Sequence, residues 1–133
     1  RVLSASPDII AHNIETVERL FKRVRPKGDY ARSMNVLRYY AENSDKPIKS
    51  GLMLGLGESK EEVLRVFEDL RKAGVSFLII GQYLSPSPAH YTIQKYYRPE
   101  EFDELRDIAL SYGFEKVLSL PLARSSYHAN ELL

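Results

Sequence analysis

Two apolar runs of strand length, Ile48 to Leu56 and Val75 to Leu84, flank a segment that carries helix signals at both of its ends. Ser59-Lys60-Glu61-Glu62 is a capping box, in which the serine hydroxyl accepts from the Glu62 amide while Glu62 reaches back to the Ser59 N–H. Behind it Val63, Val66, Phe67 and Leu70 recur at the spacing of one helical stripe, and Gly74 offers the left-handed residue that closes helices. The same spacing predicts Glu61/Arg65 and Glu68/Lys72 as ion pairs one turn apart, in the favourable order. Val75 to Leu84 is continuously apolar rather than alternating, as in a strand covered on both faces. A strand, a helix and a second strand joined this way must run parallel, since the crossover is too long for a hairpin. This unit constrains the fold more than any other feature, because parallel sheets need helices packed on them.

The rest of the chain follows the same grammar. Val17, Leu20, Phe21 and Val24 predict a first helix, stopped by Arg25-Pro26-Lys27-Gly28. Ahead of it Pro7 to His12 reads as a short strand leading to Asn13, whose side-chain carbonyl suits the free amides of a helix start. Tyr30 to Asn43 is a second helix with Met34, Leu37 and Ala41 on one side, broken at Ser44-Asp45-Lys46-Pro47. Pro86 to Arg98 is a long connection with no regular period, a length usually tied to function. Pro99 then opens a helix with Phe102, Leu105, Ala109 and Tyr112 inward and Gly113 at its end. Glu115 to Leu120 is a fourth strand, and Arg124 to Leu133 a terminal turn or short helix. The order is β, α, α, β, α, β, α, β, which predicts an α/β fold with right-handed crossovers, either doubly wound or part of a barrel. At 133 residues, 44% apolar and 28% charged, this is one globular domain, with no internal repeat. No apolar run approaches the roughly 18 residues of a membrane span, so the chain reads as soluble.

Charge excludes little but weakens one class. Residues 1–49 hold 10 basic and 6 acidic side chains, and residues 50–133 hold 9 basic and 12 acidic. The densest basic stretch, Arg19, Lys22, Arg23, Arg25 and Lys27, has no interleaved aromatics, so a solvated helix face explains it better than a nucleic-acid surface. The absence of cysteine excludes disulfides and any metal or cluster site built from this chain's own thiolates. His12, His90 and His128 lack the close spacing of a zinc site.

In parallel α/β sheets ligands bind at the carboxyl ends of the strands, and three groups fall there. Gly51-Leu52-Met53-Leu54-Gly55-Leu56-Gly57-Glu58 offers glycines that let a flat or phosphorylated ligand approach the backbone. It lacks the third glycine of a dinucleotide loop and the Gly-Lys-Ser/Thr of a triphosphate loop, and an ordinary strand-to-helix turn explains it equally. His12-Asn13-Ile14-Glu15-Thr16 supplies paired donors and acceptors suited to sugar hydroxyls; Asn13 as a helix cap and Glu15 as a first-turn acid explain the same residues. Arg124-Ser125-Ser126-Tyr127-His128 has a serine beside an arginine but no acid or histidine ordered as a triad, which favours a surface tail.

Together, the order and separation of these strings resemble the C-terminal half of lipoyl synthase, a radical S-adenosylmethionine family. The resemblance spans essentially the whole chain: His12 to Val17, Val24-Arg25-Pro26, Asp29-Tyr30-x-Arg32-Ser33, Lys49 to Glu58, Gly81-Gln82-Tyr83-Leu84-x-Pro86, His90, Tyr96, Pro99-Glu100-Glu101-Phe102 and Arg124 to Ala129. It departs at His90-Tyr91-Thr92, Lys95 and Asn130. The resemblance implies a parallel-sheet fragment of a partial (β/α) TIM-like radical SAM barrel. In the full enzyme one [4Fe-4S] cluster cleaves S-adenosylmethionine to a 5′-deoxyadenosyl radical, which removes hydrogens at C6 and C8 of an octanoyl chain on a carrier protein. A second [4Fe-4S] cluster supplies the inserted sulfur.

By the same resemblance, Gly51, Met53, Gly55 and Glu58 belong to the strand motif bordering the adenine, Asn13 and Glu15 to the polar pair near the ribose and methionine, and Arg32 to a carboxylate partner. Ser125 resembles the serine ligand of the second cluster, with Ser126 the alternative, so residues 124–133 form a serine-ligand tail. A hard alkoxide is a weaker partner for iron than a thiolate, which fits a cluster that is opened for its sulfur. The cysteine strings of both clusters belong to the family's first half. The chain opens on Arg1 with no signal-peptide pattern after it, and so reads as a piece of something longer. The expected partners are the cysteine-bearing half and an octanoylated carrier protein, with no nucleic acid and no membrane. Neither cofactor is expected to bind this chain tightly by itself, and exposed barrel interior favours self-association. The family implies the cytoplasm or an organelle matrix. The other reading is a stand-alone small-molecule-binding or scaffold domain without catalysis.

Overall fold

A computed structural model describes residues 9–85 and 92–122. Four strands, β1 (Ile10–Ala11), β2 (Ile48–Leu54), β3 (Phe77–Gln82) and β4 (Lys116–Ser119), form one parallel sheet in the order β1-β2-β3-β4. The connections carry α1 (Phe21–Val24), preceded by a 3-10 turn over Glu18–Leu20, then α2 (Tyr30–Asn43), α3 (Lys60–Ala73) and α4 (Pro99–Ser111). Sequential neighbours without reversal of strand order are the signature of a barrel segment rather than of a doubly wound sheet. The structure thus decides between the two α/β alternatives.

Which side of the sheet the helices cover follows from alternation along the strands. Ile10 of β1, Ile48, Leu52 and Leu54 of β2, and Leu78 and Ile80 of β3 share one core with Leu37 of α2, Val66, Phe67 and Leu70 of α3, and Phe102 and Leu105 of α4. The residues between them point the other way. Phe77 and Ile79 make a separate small cluster with Ile9 and Leu118, and no residue of α1 to α4 belongs to it. Ser50 lies on the helix-covered side, fully buried, where its hydroxyl accepts from the Ile14 amide at 2.9 Å.

Local signals account for the helix boundaries. The capping box at Ser59 forms in both directions, and Gly74 closes α3 at φ 100°. Asp29 caps α2 by accepting from the Arg32 amide at 3.2 Å. Proline opens α4, where the missing amide hydrogen has no intrahelical partner to lose.

Several expectations change. The first helix starts only at Glu18 with Val17 at its cap position, so Asn13 is no helix cap and Glu15 no first-turn acid. Instead Glu15 continues the sheet by bridging to Leu52. Arg65 pairs with Asp69 at 3.5 Å rather than with Glu61, whereas Glu68–Lys72 forms as expected at 3.3 Å. Tyr112, at the C-cap of α4, is partly exposed, although its ring still meets that of the buried Phe67 with centroids 5.8 Å apart.

Candidate functional site

At the carboxyl end of β1 the chain is sewn onto β2 residue by residue. The His12 amide donates to the Lys49 carbonyl, the Glu15 amide donates to the Gly51 carbonyl, and the Glu15 carbonyl accepts from Met53, at 3.0, 3.0 and 2.8 Å. Glu15 is held this way at φ 75°, the one described residue other than glycine in left-handed backbone. Such a conformation costs about 1–3 kcal/mol and persists where neighbours over-determine it. Its carboxylate Oε2 lies 3.9 Å from Nη1 of Arg25. Burial raises the Glu15 pKa, and Arg25 only partly opposes it. His12 is half-buried, with its pKa lowered first by burial and then by Arg25, and its buried Nε2 has no hydrogen-bond partner among the described residues.

The second group surrounds the turn after β2. Gly55 and Gly57 adopt φ 103° and 107°. Glu58 closes the turn, accepting from the amides of Gly55 at 2.9 Å and Leu56 at 3.0 Å and from the Tyr97 hydroxyl at 2.6 Å. Burial, then the bond to Glu58, pushes the Tyr97 hydroxyl well above its ordinary pKa. Across the turn runs residues 94–97. Gln82, at the end of β3, holds it by donating to the Lys95 carbonyl at 2.8 Å and accepting from the Tyr97 amide at 2.9 Å. The Gly55 carbonyl accepts from Gln94 at 2.7 Å. A side chain added to Gly55 would collide with the Gln82 amide nitrogen and the Lys95 carbonyl. The close approach that requires this glycine is therefore that of residues 94–97 and Gln82.

Gly51 and Met53 lie within β2, opposite Ile79 and Gly81 of β3, and on the other face from Leu52 and Leu54. Arg32 sits exposed in the first turn of α2, where its amide is the main cause holding the Asp29 carboxyl below its usual pKa. Ser125, Ser126, His90 and the whole 124–133 tail lie outside the described residues. The structure thus brings Glu15 together with His12 and Arg25, and Gly55 with Glu58, Gln82 and Tyr97. Arg25, Gln82 and Tyr97 were given no site role by the sequence, and His12 was named only as part of the string around Asn13 and Glu15. A glutamine ending a buried apolar strand was the available signal for Gln82, since a buried amide needs partners.

No family model matches the chain. Curated relatives do. Lipoyl synthase of Caldicellulosiruptor saccharolyticus is 53% identical over 133 residues, covering 98% of this chain and 46% of the relative. That of Caldicellulosiruptor bescii is 53% identical over 131 residues, covering 97% and 45%. That of Geobacillus thermodenitrificans is 52% identical over 131 residues, covering 98% and 44%. The chain belongs to the lipoyl synthase family. It spans about 45% of the length of these relatives. The four-stranded parallel sheet is a segment of the partial (β/α) barrel that lipoyl synthase implies. No helix among the described residues is long and apolar enough to cross a membrane.

Lipoyl synthase implies iron–sulfur clusters and S-adenosylmethionine, and the residues present can be tested against each. Clusters are held by thiolates. This chain has no cysteine, and among the described residues no three acids or histidines gather where a metal ion could be held. Its residues do not fit a cluster by themselves. A polar organic ligand fits better, because among the described residues the His12 Nε2 and the desolvated Glu15 carboxylate both lack strong hydrogen-bond partners.

Proposed function

We propose that this chain is the cysteine-free, cofactor-framing part of a lipoyl synthase, which inserts two sulfur atoms at C6 and C8 of a protein-bound octanoyl chain. The observation that carries the reading is identity of 53% sustained over 98% of the chain to a protein of that name. S-adenosylmethionine supplies the radical chemistry when it and the clusters are bound. This chain's residues bind and orient: Glu15 and Asn13 toward the ribose and methionine, Arg32 toward a carboxylate, and the Gly51–Glu58 strand and turn along the adenine. Glu15 supports this assignment, since a strained backbone and a desolvated acid at the carboxyl end of a parallel strand are what a binding site uses. Ser125 is the proposed serine ligand of the second cluster. The thiolates come from a cysteine-bearing part of the enzyme, and an octanoylated carrier protein is the substrate. The bacterial origin of the relatives supports the cytoplasm as the compartment.

The test joins this chain to the cysteine-bearing part under anaerobic conditions and follows octanoyl-to-lipoyl conversion by mass spectrometry. Conversion should occur in the parent, fall about tenfold or more in Glu15→Gln, and be lost in Ser125→Ala. The chain alone should carry neither iron nor activity. Conversion unchanged in Glu15→Gln would remove its assigned role, and stoichiometric iron and sulfide in the isolated chain would overturn the division of labour.

A further inference from the structure

The turn after β2 cannot fix its own shape. Two of its four residues, Gly55 and Gly57, occupy left-handed backbone, where glycine moves with little steric restraint. A turn of that kind needs partners to hold one conformation: Arg19 donates to the Gly57 carbonyl at 2.8 Å, the Gln94 and Lys95 amides donate to the Gly55 carbonyl, and two side chains, those of Gln82 and of the turn's own Glu58, tie it to residues 95–97. Glu58 commits both carboxylate oxygens, to the Gly55 and Leu56 amides and to the Tyr97 hydroxyl 39 residues away. Gln82 grips the backbone of Lys95 and Tyr97 on both its donor and its acceptor side, like a one-residue extension of the sheet. Bonds to an ionised carboxylate are the strong class of hydrogen bond.

The Tyr97 ring is anchored independently of its hydroxyl. It packs against Phe102 with ring centroids 5.9 Å apart and lies 4.3 Å beneath the Lys95 ammonium, which itself pairs with Glu101 at 2.8 Å. Packing alone would be satisfied by phenylalanine. The hydroxyl is the atom that ties this ring to the turn.

We infer that Tyr97 and Gln82 are positioning residues for nucleoside binding: Tyr97 acting through Glu58, and Gln82 through the backbone of residues 95–97, hold the Gly55–Glu58 turn in the shape that receives the adenine half of the cofactor. This rests on the proposed function, which places the adenine along that turn. Glu58 then serves as the buttress of the turn rather than as a group touching the ligand.

The experiment uses the full-length enzyme with its cysteine-bearing part, and S-adenosylhomocysteine as the binding probe in calorimetry. Tyr97→Phe should raise the probe's Kd about 3- to 10-fold, only part of the strength of one charge-assisted bond, because Tyr97 acts through Glu58 rather than on the ligand. KM for S-adenosylmethionine should rise by a similar factor with kcat within about twofold, as when ground-state binding alone is weakened. Gln82→Met, which keeps the length of the side chain and removes its bonds to Lys95 and Tyr97 together with that to the Tyr83 carbonyl at 3.1 Å, should have the larger effect. Combining Tyr97→Phe with Glu58→Gln should cost less than the two effects summed, because both act on one bond. Unchanged Kd in both Tyr97→Phe and Gln82→Met overturns the inference. So does a fall in kcat equal to the rise in KM, which would mark general damage to the fold. A parent enzyme that fails to bind the probe overturns the proposed function itself. A parent that binds it as Tyr97→Phe and Gln82→Met do overturns this inference alone.

Discussion

Replacing Gly55 by alanine separates two costs that glycine avoids in this turn, provided that Gly57→Ala is measured beside it. Both glycines have φ near 105°, at 103° and 107°, so both alanine variants bear the strain of an L-residue in left-handed backbone. That strain is about 1–2 kcal/mol. The surroundings differ. The nearest atom to a new methyl at Gly57 is Gln94 Cγ at 3.6 Å, an ordinary contact, whereas at Gly55 it would collide with the Gln82 amide nitrogen and the Lys95 carbonyl. Those two atoms are bonded to each other at 2.8 Å, and moving them also disturbs the bond from Tyr97 N to Gln82 at 2.9 Å. Losing two such bonds adds about 2 kcal/mol. Gly57→Ala should therefore cost about 1–2 kcal/mol and Gly55→Ala about 3–4 kcal/mol. In a protein of a few hundred residues each kcal/mol lowers the melting midpoint by about 2–4 °C, so the variants should differ by about 4–8 °C. Differential scanning calorimetry of the full-length protein reads this difference directly. Equal midpoints would refute the claim that residues 94–97 are packed hard against Gly55.

Two further outcomes follow from single observations. Thr16 is fully buried with its hydroxyl unpartnered among the described residues, so Thr16→Val should be neutral or stabilise by up to about 1.5 kcal/mol in urea denaturation; clear destabilisation would reveal a partner for the hydroxyl. Arg19 pairs with Glu62 at 2.6 Å and is the first cause holding the Glu62 carboxyl down to about 2. A carboxyl lowered on folding stabilises fully above its unfolded value near 4.5, and that stabilisation disappears as pH falls toward 2. Arg19 is 56% exposed, so Arg19→Met should cost no more than about 1 kcal/mol at pH 7. The difference between parent and variant should shrink as pH drops through that window, and a pH-independent difference would assign the effect to packing and to the bond from Arg19 to the Gly57 carbonyl at 2.8 Å instead.

Where the sequence carried local chemistry, the fold was legible in it. The capping box at Ser59, the one-stripe spacing through Leu70 and the terminal Gly74 located α3, and Tyr30 to Asn43 matched α2 end for end. The unbroken apolar run after Gly74 became β3, buried along its full length. Legibility failed where tertiary contacts outweighed local propensity. Val17 to Val24 has a helical period but yields only a 3-10 turn and one helical turn, since the chain before it is drawn into the sheet by the Glu15–Leu52 bridge. Nothing local in Asn13-Ile14-Glu15 signals a left-handed glutamate, because the two bonds that hold it come from Gly51 and Met53, far along the chain. The pairing of Gln82 with residues 95–97 is likewise non-local. Family resemblance placed Glu15 near the ribose and methionine and Glu58 in the motif bordering the adenine, but gave no reason to expect only one of them to touch the ligand.

The structure supplies that reason. Both carboxylates stand at the ends of adjacent parallel strands, and an acid in either place could address a bound nucleoside. Glu58 accepts from three donors at 2.6 to 3.0 Å, all within its own turn and from Tyr97, which leaves little capacity for a ligand. Glu15 has its backbone fixed by β2, but among the described residues its carboxylate meets only a guanidinium at 3.9 Å, and burial makes its charge costly. A hydroxyl or ammonium arriving from a ligand would relieve that cost at Glu15, whereas at Glu58 it would have to displace bonds already made. Binding free energy gained at one acid is thus net, and at the other is an exchange. Under the proposed function, Glu15 would therefore be the acid that touches the ligand, and Glu58 the one that holds the turn.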